Sequence, residues 1–315
     1  MAANPIPGAK EQPGLLKRIV DHDIFYSFTR SPVVVIAAVI TFLFFFSAAA
    51  APWLTPHDPF NPATLDLMNA FKPPVWVKGG EWKFPLGTDN QGRDVFATIL
   101  FGCRISLIVG FLSVLLAMGI GVTLGTFSGY VGGWIEALIM RAADIQLTIP
   151  AILIALTVDG IARSALPREM LDHAAIYVLI VSIGIAHWPQ YARVTRSGTL
   201  VEKNKEYISA ARIIRVPPVL IVVRHILPNV MGPTLVIATI GIALAIIIEA
   251  TLSFLGVGVP PTTPSLGTLI RIGNDFLFSG EWWITLFPVA FLVLLVLSVN
   301  LVGDWLRDTF NPKLR

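Results

Sequence analysis

Histidine and cysteine are the side chains best suited to metal binding or nucleophilic catalysis. This sequence of 315 residues has five histidines and one cysteine. His57, His173, His187 and His225 are scattered without the spacing of metal ligands, and no nucleophile-base grouping accompanies them. Cys103 has no disulfide partner and is interpreted as a small packing residue. The sequence also lacks a G-x-x-x-x-G-K-[ST] phosphate-binding loop. We therefore expect no catalytic residue, metal site or bound cofactor.

Three ionisable residues fall within or beside long apolar tracts. Arg141 and Asp144 are three residues apart, so they share one helical face and are predicted to neutralise each other near the membrane interface. We favour a structural pair over a functional role for these two. Glu249 follows three isoleucines, and an ionisable group near the membrane interior is a functional candidate by default. A structural hydrogen-bonding role is equally open for Glu249.

A basic segment, residues 201–228, is the other place where residue types and spacing suggest activity. Its pattern predicts a helix from Lys203 to Ile214 with one apolar stripe, formed by Tyr207, Ala210, Ala211 and Ile214. Pro217 and Pro218 are expected to end that helix, and a second short helix is expected to end near Pro228. Such a knob could dock in a groove of another protein, or lie on anionic lipid.

Composition shows what surrounds these residues. The chain is 55% hydrophobic and 14% charged, with a mean hydropathy of +0.73. The charges gather between long uncharged tracts, which is typical of a chain that crosses a membrane repeatedly. The net charge of +3 is small, and the basic residues are not interleaved with aromatic residues. Nucleic-acid binding is therefore not expected.

The apolar tracts predict an all-α integral membrane protein with six transmembrane helices. We expect the spans at about 32–51, 105–135, 137–158, 174–191 (interrupted by Pro189), 226–255 and 282–303. Residues 1–31 and 304–315 form tails, 52–97 form an insertion after the first span, and 98–303 form the core with the other five spans. Gly121, Gly125 and Gly129 make a small-residue face in the second span, for packing within the chain or against a second subunit.

Lys and Arg set the orientation of the predicted spans. Seven of them lie between the fourth and fifth spans, whereas only Arg271 lies between the fifth and sixth. Positive loops stay on the cytoplasmic side, so both termini and the basic segment are predicted to be cytoplasmic and the insertion to face the other side.

Several segments carry a family resemblance. EYISAAR at 206–212, followed by RHILPN at 224–229, resembles the EAA loop of permease subunits of ATP-binding-cassette (ABC) importers, although Ser209 and Arg215 replace an acidic residue and a glycine of the family. Six further segments resemble the "C" permease of dipeptide, oligopeptide and nickel importers: LGTDNQGRDV at 86–95, GCRISL at 102–107, WPQYAR at 188–193, EATLSFLG at 249–256, PPTTPS at 260–265 and NLVGDWLRD at 300–308.

The resemblance implies a type I ABC importer (MetI-like) permease fold, in which the insertion after the first helix is periplasmic. It implies a non-catalytic subunit of the bacterial inner membrane, partnered by a homologous "B" permease, two ABC ATPases that bind ATP and Mg, and a periplasmic substrate-binding protein. Peptides or another small solute would pass through. The resemblance assigns eight residues to the coupling with the ATPases: Glu206, Tyr207, Ala210, Ala211, Arg212, Arg215, Arg224 and Pro228. Ala210 and Ala211 would permit close approach, while Glu206 and Arg212 would offer polar contacts.

Two functional alternatives stay open. An ion-gradient-driven secondary transporter would be expected to show paired internal repeats or interrupted helices in matching halves, and the two halves of this sequence do not resemble each other. The same ABC architecture could instead carry nickel chelates or another small solute.

Overall fold

The structure of the chain is a computed structural model, and it describes residues 23–55, 59–61 and 65–309. Most of the predicted N-terminal tail therefore lies outside the described residues, as do residues 56–58 (with His57) and 62–64 of the insertion and residues 310–315 of the C-terminal tail.

The described part of the chain is helical, and its only β-type pairing is an isolated bridge between Thr88 and Asp94. In chain order the helices are α1 (Asp23–Arg30), α2 (Pro32–Leu54), α3 (Val95–Val131), α4 (Gly133–Leu147), α5 (Ala151–Ala165), α6 (Arg168–Glu202), α7 (Glu206–Ile213), α8 (Pro218–Ile221), α9 (Leu227–Phe254), α10 (Leu266–Asn274) and α11 (Trp283–Thr309). A π-helical turn, Val222–Ile226, joins α8 to α9, and short 3₁₀ turns lie at Leu67–Asn69 and Leu277–Ser279.

Five stretches are long and apolar enough to cross a membrane: Pro32–Leu54, Val95–Val131, Ala174–Glu202, Pro218–Phe254 and Trp283–Thr309. Helices α4 and α5 pass the same test of length and composition together, as one broken span, and are bent by 99° at the break between them. The predicted all-α, six-span membrane fold is confirmed. An uninterrupted third span was the wrong expectation, because Pro150 restricts the backbone of Ile149 before it and starts α5 in a new direction.

The predicted interruption of the fourth span at Pro189 is also wrong. Helix α6 continues through Pro189 from Arg168 to Glu202. Pro189 has no backbone N–H to donate to the carbonyl of Ile185, four residues earlier. That carbonyl instead accepts a hydrogen bond from the side chain of Gln146 in α4.

Helices α3 and α6 form the centre of the bundle, and the three predicted glycines lie between them. A Cβ atom at Gly121 would come within 2.5 Å of Tyr191 Cβ, and one at Gly129 within 2.9 Å of Thr199 Cβ. The small-residue face therefore serves close packing inside this chain. Helix α3 begins ten residues before the predicted start at Ile105, capped by the Asp94 carboxylate that accepts from Phe96 N at 3.1 Å.

The described part of the insertion folds against the start of α11. The carbonyl of Thr88 accepts a hydrogen bond from Trp283 Nε1 at 3.0 Å, and a buried ion pair joins Arg93 Nε to Asp89 Oδ2 at 2.6 Å. This contact fixes the 86–95 motif to the last transmembrane helix.

Candidate functional site

The basic segment forms a helical knob between α6 and α9. Its first helix is α7, which begins at Glu206 and ends at Ile213, within the predicted limits of Lys203 and Ile214. The prediction of a separate second helix that ends near Pro228 is wrong. The chain passes from α8 through the π turn into α9, where Pro228 occupies the first helical turn and has no intrahelical N–H bond to lose.

The knob has a small apolar core of its own. Ile208 and Ala211 on α7 are buried against Ile221, Ile226 and Val230, which lie on the rest of the knob and the start of α9. The predicted apolar stripe is therefore displaced: only Ala211 of its members is buried, while Tyr207, Ala210 and Ile214 are exposed. The two alanines consequently have different environments.

Helix α7 ends before the two prolines, in a Schellman-type turn centred on Arg215. Val216 N donates to Ala211 O and Arg215 N donates to Arg212 O, both at 3.0 Å. Arg215 has a φ of 56°, in the left-handed region that glycine adopts without steric cost. The geometry explains why a glycine would suit this position better than the arginine that occupies it.

A polar brace ties the knob to the ends of α6 and α9. The hydroxyl of Tyr207 donates to Glu202, a buried residue at the end of α6, and accepts from Asn229 Nδ2 at 3.3 Å. Lys205 Nζ also pairs with Glu202 Oε2 at 2.8 Å. Burial and the neighbouring Glu202 carboxylate raise the pKa of Tyr207 to about 12, so the hydroxyl stays protonated as a donor. The sequence argument missed Glu202, although its i, i+3 spacing to Lys205 was a visible signal.

The other end of the knob contacts α3. The guanidinium of Arg212 lies 5.7 Å from the ring centroid of Tyr130, and Lys203 Nζ donates to the carbonyl of Gly129 at 2.6 Å. Nearby, Arg196 Nε donates to Glu136 Oε1 at 2.6 Å, which ties α6 to α4. Four helices that belong to membrane spans therefore meet at one end of the bundle around the knob.

The outer surface of the knob is apolar with a charged rim. Ile213, Ile214 and Val219 are 81%, 74% and 75% exposed, and Ala210 lies beside them on α7. The exposed charged residues of the knob are Lys205, Glu206, Arg212, Arg215 and Arg224. A contiguous apolar patch with a polar rim is typical of a surface that binds another macromolecule.

Glu249 lies away from the knob, at the centre of a buried network. Its two carboxylate oxygens accept hydrogen bonds from Ser106 and Ser253, each at 2.7 Å, and its side chain is fully buried. The Ser106 hydroxyl also accepts from the backbone N of Leu266 at 3.3 Å. Glu249 therefore joins α9 to α3 and α10, and it is closed to a solute in this conformation.

Arg141 and Asp144 lie on α4, both exposed, and they form no ion pair with each other within 4.0 Å. The predicted mutual neutralisation is therefore wrong. Two residues that share a helical face still need rotamers that bring the charged groups together, and these side chains do not adopt them.

Comparison with protein families gives two matches. Residues 121–315 match the model of the binding-protein-dependent transport system inner membrane component, and residues 22–74 match the N-terminal TM domain of oligopeptide transport permease C. Together they cover the knob, both ends of the bundle and the first span.

Curated relatives cover most of the chain. The Haemophilus influenzae dipeptide transport system permease protein DppC is 38% identical over 265 residues, which is 84% of this chain and 85% of that protein. The Pseudomonas aeruginosa di/tripeptide transport system permease protein DppC is 36% identical and covers 84% of this chain and 83% of that protein. The Escherichia coli K12 DppC is 36% identical over 93% of both chains.

The fold has solved counterparts. Two crystal forms described as inward facing conformations of the MetNI methionine ABC transporter superpose with TM-scores of 0.52 and 0.51. The first covers 68% of this chain and 96% of the solved chain at 21% sequence identity, which establishes similarity of fold.

Proposed function

This chain belongs to the family of inner membrane components of binding-protein-dependent transport systems, and we propose that it forms half of a translocation pathway for dipeptides and oligopeptides. Members of this family are non-catalytic permease subunits of ABC importers, multi-pass proteins of the bacterial inner membrane that work with a second permease, ATPases and a binding protein. A peptide substrate is supported by the similarity to dipeptide and di/tripeptide transport permeases.

The observation that carries the coupling part of the proposal is the outer surface of the knob. An ATPase groove would cover Ala210, Ile213 and Ile214, which are exposed although they are small or apolar. The arginines on the rim favour a groove with acidic edges. Lipid docking of the same surface is the alternative, and it predicts that ATP-driven uptake is retained when Ala210 is replaced by tryptophan.

The braces give a route by which a force on the knob reaches the membrane spans. Tyr207 links α7 to the end of α6 through Glu202 and to the start of α9 through Asn229. The small core formed by Ile208 and Ala211 makes the knob move with α9. Closure of the ATPase pair would then tilt α6 and α9 together and shift the balance between outward-open and inward-open states.

The proposed assembly places the partner proteins on defined sides of the membrane. A homologous "B" permease completes the pore, two ATPases bind ATP and Mg on the cytoplasmic side, and a binding protein delivers the solute from the periplasm. Both termini of this chain and the knob are cytoplasmic in this arrangement, because the basic residues concentrate there. This chain itself binds no nucleotide.

Ala210 and Ala211 provide a matched pair of variants for the test. Ala210→Trp fills the docking surface, so ATP-driven uptake of a labelled dipeptide by the reconstituted complex should fall by about tenfold or more, while the unfolding midpoint of the permease pair without its ATPases stays unchanged. Ala211→Trp overfills the small core of the knob and should lower that midpoint, because Ala211 is 7% exposed.

Equal uptake by wild type and Ala210→Trp would contradict docking of an ATPase at this surface. Uptake driven by an ion gradient in vesicles that contain this chain without ATPases would favour the secondary transporter instead. ATP-driven uptake of nickel chelates, with none of dipeptides, would retain the architecture and replace the substrate.

A further inference from the structure

The break between α4 and α5 lies level with the centre of α6, which we take as the middle of the membrane. Gln146 Nε2, near the end of α4, donates to Ile185 O at 2.6 Å, and Ile185 is the central residue of α6, Arg168–Glu202. At a rise of about 1.5 Å per residue, Ile185 lies roughly 25 Å from either end of that helix. Glu136, earlier in α4, meets Arg196 nearer the knob, so α4 runs antiparallel to α6.

This geometry places two charged residues deep in the bundle. Asp144 precedes Gln146 by two residues and so lies close to the midplane, and Arg141 lies about 7.5 Å from Gln146 along α4 in the direction of the knob. Both are exposed, and among the described residues neither has an ion-pair or hydrogen-bond partner. A charge at the bilayer centre costs about 2.5 to 3.5 kcal/mol on insertion scales, so lipid is an unfavourable neighbour.

Three other charged residues of the spans, Asp159, Arg163 and Glu249, have partners within the chain. Asp159 is fully buried and pairs with Arg163 Nε at 2.6 Å, and Arg163 also donates to the carbonyls of Val257 and Gly258. Glu249 is buried among serine donors. Arg141 and Asp144 have no such partners within the described part of the chain. They lie on α4, a helix in which only Ala143 is buried.

The backbone at the break supports a water-filled environment independently of the charges. Residues 148–150 leave the helical path at mid-membrane depth and are exposed in this chain. Irregular backbone at that depth is tolerated only where protein covers it or where it borders an aqueous cavity. On the knob side of the break, α6 exposes two further polar side chains, those of Gln190 and Arg193, about 7.5 and 12 Å from Ile185 along the helix.

From these observations we infer that Arg141 and Asp144 line the aqueous pathway and bind the charged termini of a zwitterionic peptide in transit. This inference rests on the proposed function. Asp144 would accept hydrogen bonds from the peptide ammonium group, and Arg141 would donate to its carboxylate. The i, i+3 spacing places the two Cβ atoms about 5 to 6 Å apart, which is comparable to the length of about 7 Å spanned by two extended residues.

Cysteine accessibility in the complete complex tests the water-filled environment. Asp144→Cys should react with a membrane-impermeant methanethiosulfonate, whereas the wild type should not, because its only cysteine, Cys103, is fully buried. Phe42→Cys is the matched control: Phe42 is 66% exposed in the single chain but lies on the uncharged helix α2 and should face lipid. Thr148→Cys, at the break, repeats the test should Asp144→Cys not assemble.

Ligand protection then tests the peptide site. A saturating dipeptide with free termini should slow labelling of Thr148→Cys, which retains Arg141 and Asp144, and the same dipeptide acetylated and amidated should not. In transport, Arg141→Gln and Asp144→Asn should each lower ATP-driven dipeptide uptake by about tenfold or more, as expected for loss of a hydrogen bond to a charged group, while Arg141→Lys keeps part of it.

No labelling at either cysteine would overturn the inference and would indicate that partner residues cover these charges. Equal protection by the free and the blocked dipeptide would overturn the assignment to charged termini. Either result, in a preparation whose wild type transports dipeptides with ATP, leaves the proposed function intact.

Discussion

Gln146 Nε2 donates to the carbonyl oxygen of Ile185 at 2.6 Å, and that carbonyl is the one that Pro189 leaves without a helical partner. The amide of Gln146 is held in place from the other side, because Trp188 Nε1 donates to its Oε1 at 3.0 Å. A side chain from the broken span thus completes the hydrogen bonding of the neighbouring helix at mid-membrane depth.

Replacement of Gln146 by leucine should therefore destabilise the complex by about 1 to 3 kcal/mol, because the Ile185 carbonyl is left unpaired in the packing between α4 and α6. The measurement is the thermal unfolding midpoint in detergent. Pro189→Ala supplies the matched background, since an alanine at this position has a backbone N–H that can pair with Ile185 O. There Gln146→Leu should cost less, since only the bond from Trp188 Nε1 is then lost without replacement, and equal costs in both backgrounds would show that the bond to Ile185 O does not replace a helical one.

The sequence was sufficient for the number of spans and for the position of the knob, because both depend on uninterrupted apolar tracts and on clustered basic residues. It was insufficient to predict the effect of two prolines. Pro150 lies at the break of one span, whereas the helix of another span continues through Pro189. The difference lies in a donor from another helix, Gln146, which is 43 residues from Pro189 in the chain. Local pattern cannot show such a partner.

The candidate site shows the same limit. The sequence predicts a small apolar tip, and Ala210 is exposed there. The burial of Ala211 depends on Ile221 and Ile226, which lie later in the chain and pack against α7. The pairing expected of Arg141 with Asp144 was a reasonable inference from spacing alone. The side-chain rotamers, which depend on the tertiary environment, keep the two charged groups apart.

Gly125 and Gly119 lie on the same helix and should respond oppositely to alanine. A Cβ at Gly125 would overlap Ala192 Cα at 2.8 Å, whereas a Cβ at Gly119 meets nothing within 4 Å. Gly125→Ala should destabilise the complex by about 1 to 3 kcal/mol through forced separation of α3 and α6. Gly119→Ala should stabilise it by up to about 1 kcal/mol through helix propensity. Thermal unfolding of the two variants side by side checks this, and a similar loss in both would argue against close helix packing at Gly125.

Arg215 should be replaceable by glycine with a gain in stability. Its φ of 56° is unfavourable for any residue with a Cβ, and Gly at the C′ position of a Schellman turn avoids that cost. Arg215→Gly should be more stable than Arg215→Ala by about 1 kcal/mol, although both variants lose the same charge. Comparison of these two variants by thermal unfolding isolates the backbone effect from the charge effect. Identical midpoints would mean that the turn is not held in the left-handed conformation.

Asp94 should make stability depend on pH in a direction opposite to that of an ordinary salt-bridged aspartate. Burial raises the pKa of this carboxyl to about 6, against the smaller opposing effect of the hydrogen bonds that it accepts from Phe96 N and Ala97 N. Between about pH 4 and 6 the folded state therefore holds a proton that the unfolded state has released. Its favourable contribution is complete below about pH 4 and is lost as the pH rises through about 6.

Asp94→Asn removes this titration and keeps a residue that caps helices well. The variant should match the wild type near pH 4 and exceed it above about pH 6.5 by about 1 to 3 kcal/mol, since one pKa unit corresponds to about 1.4 kcal/mol. Unfolding midpoints at about pH 4, 5, 6 and 7.5 measure the difference directly. Asp66→Asn, at the cap of the exposed 3₁₀ turn Leu67–Asn69, is the control for replacement of a capping aspartate by asparagine. Parallel curves for Asp94→Asn and the wild type would show that Asp94 stays ionised in the folded protein, and that the start of α3 is more accessible to water than its packing indicates.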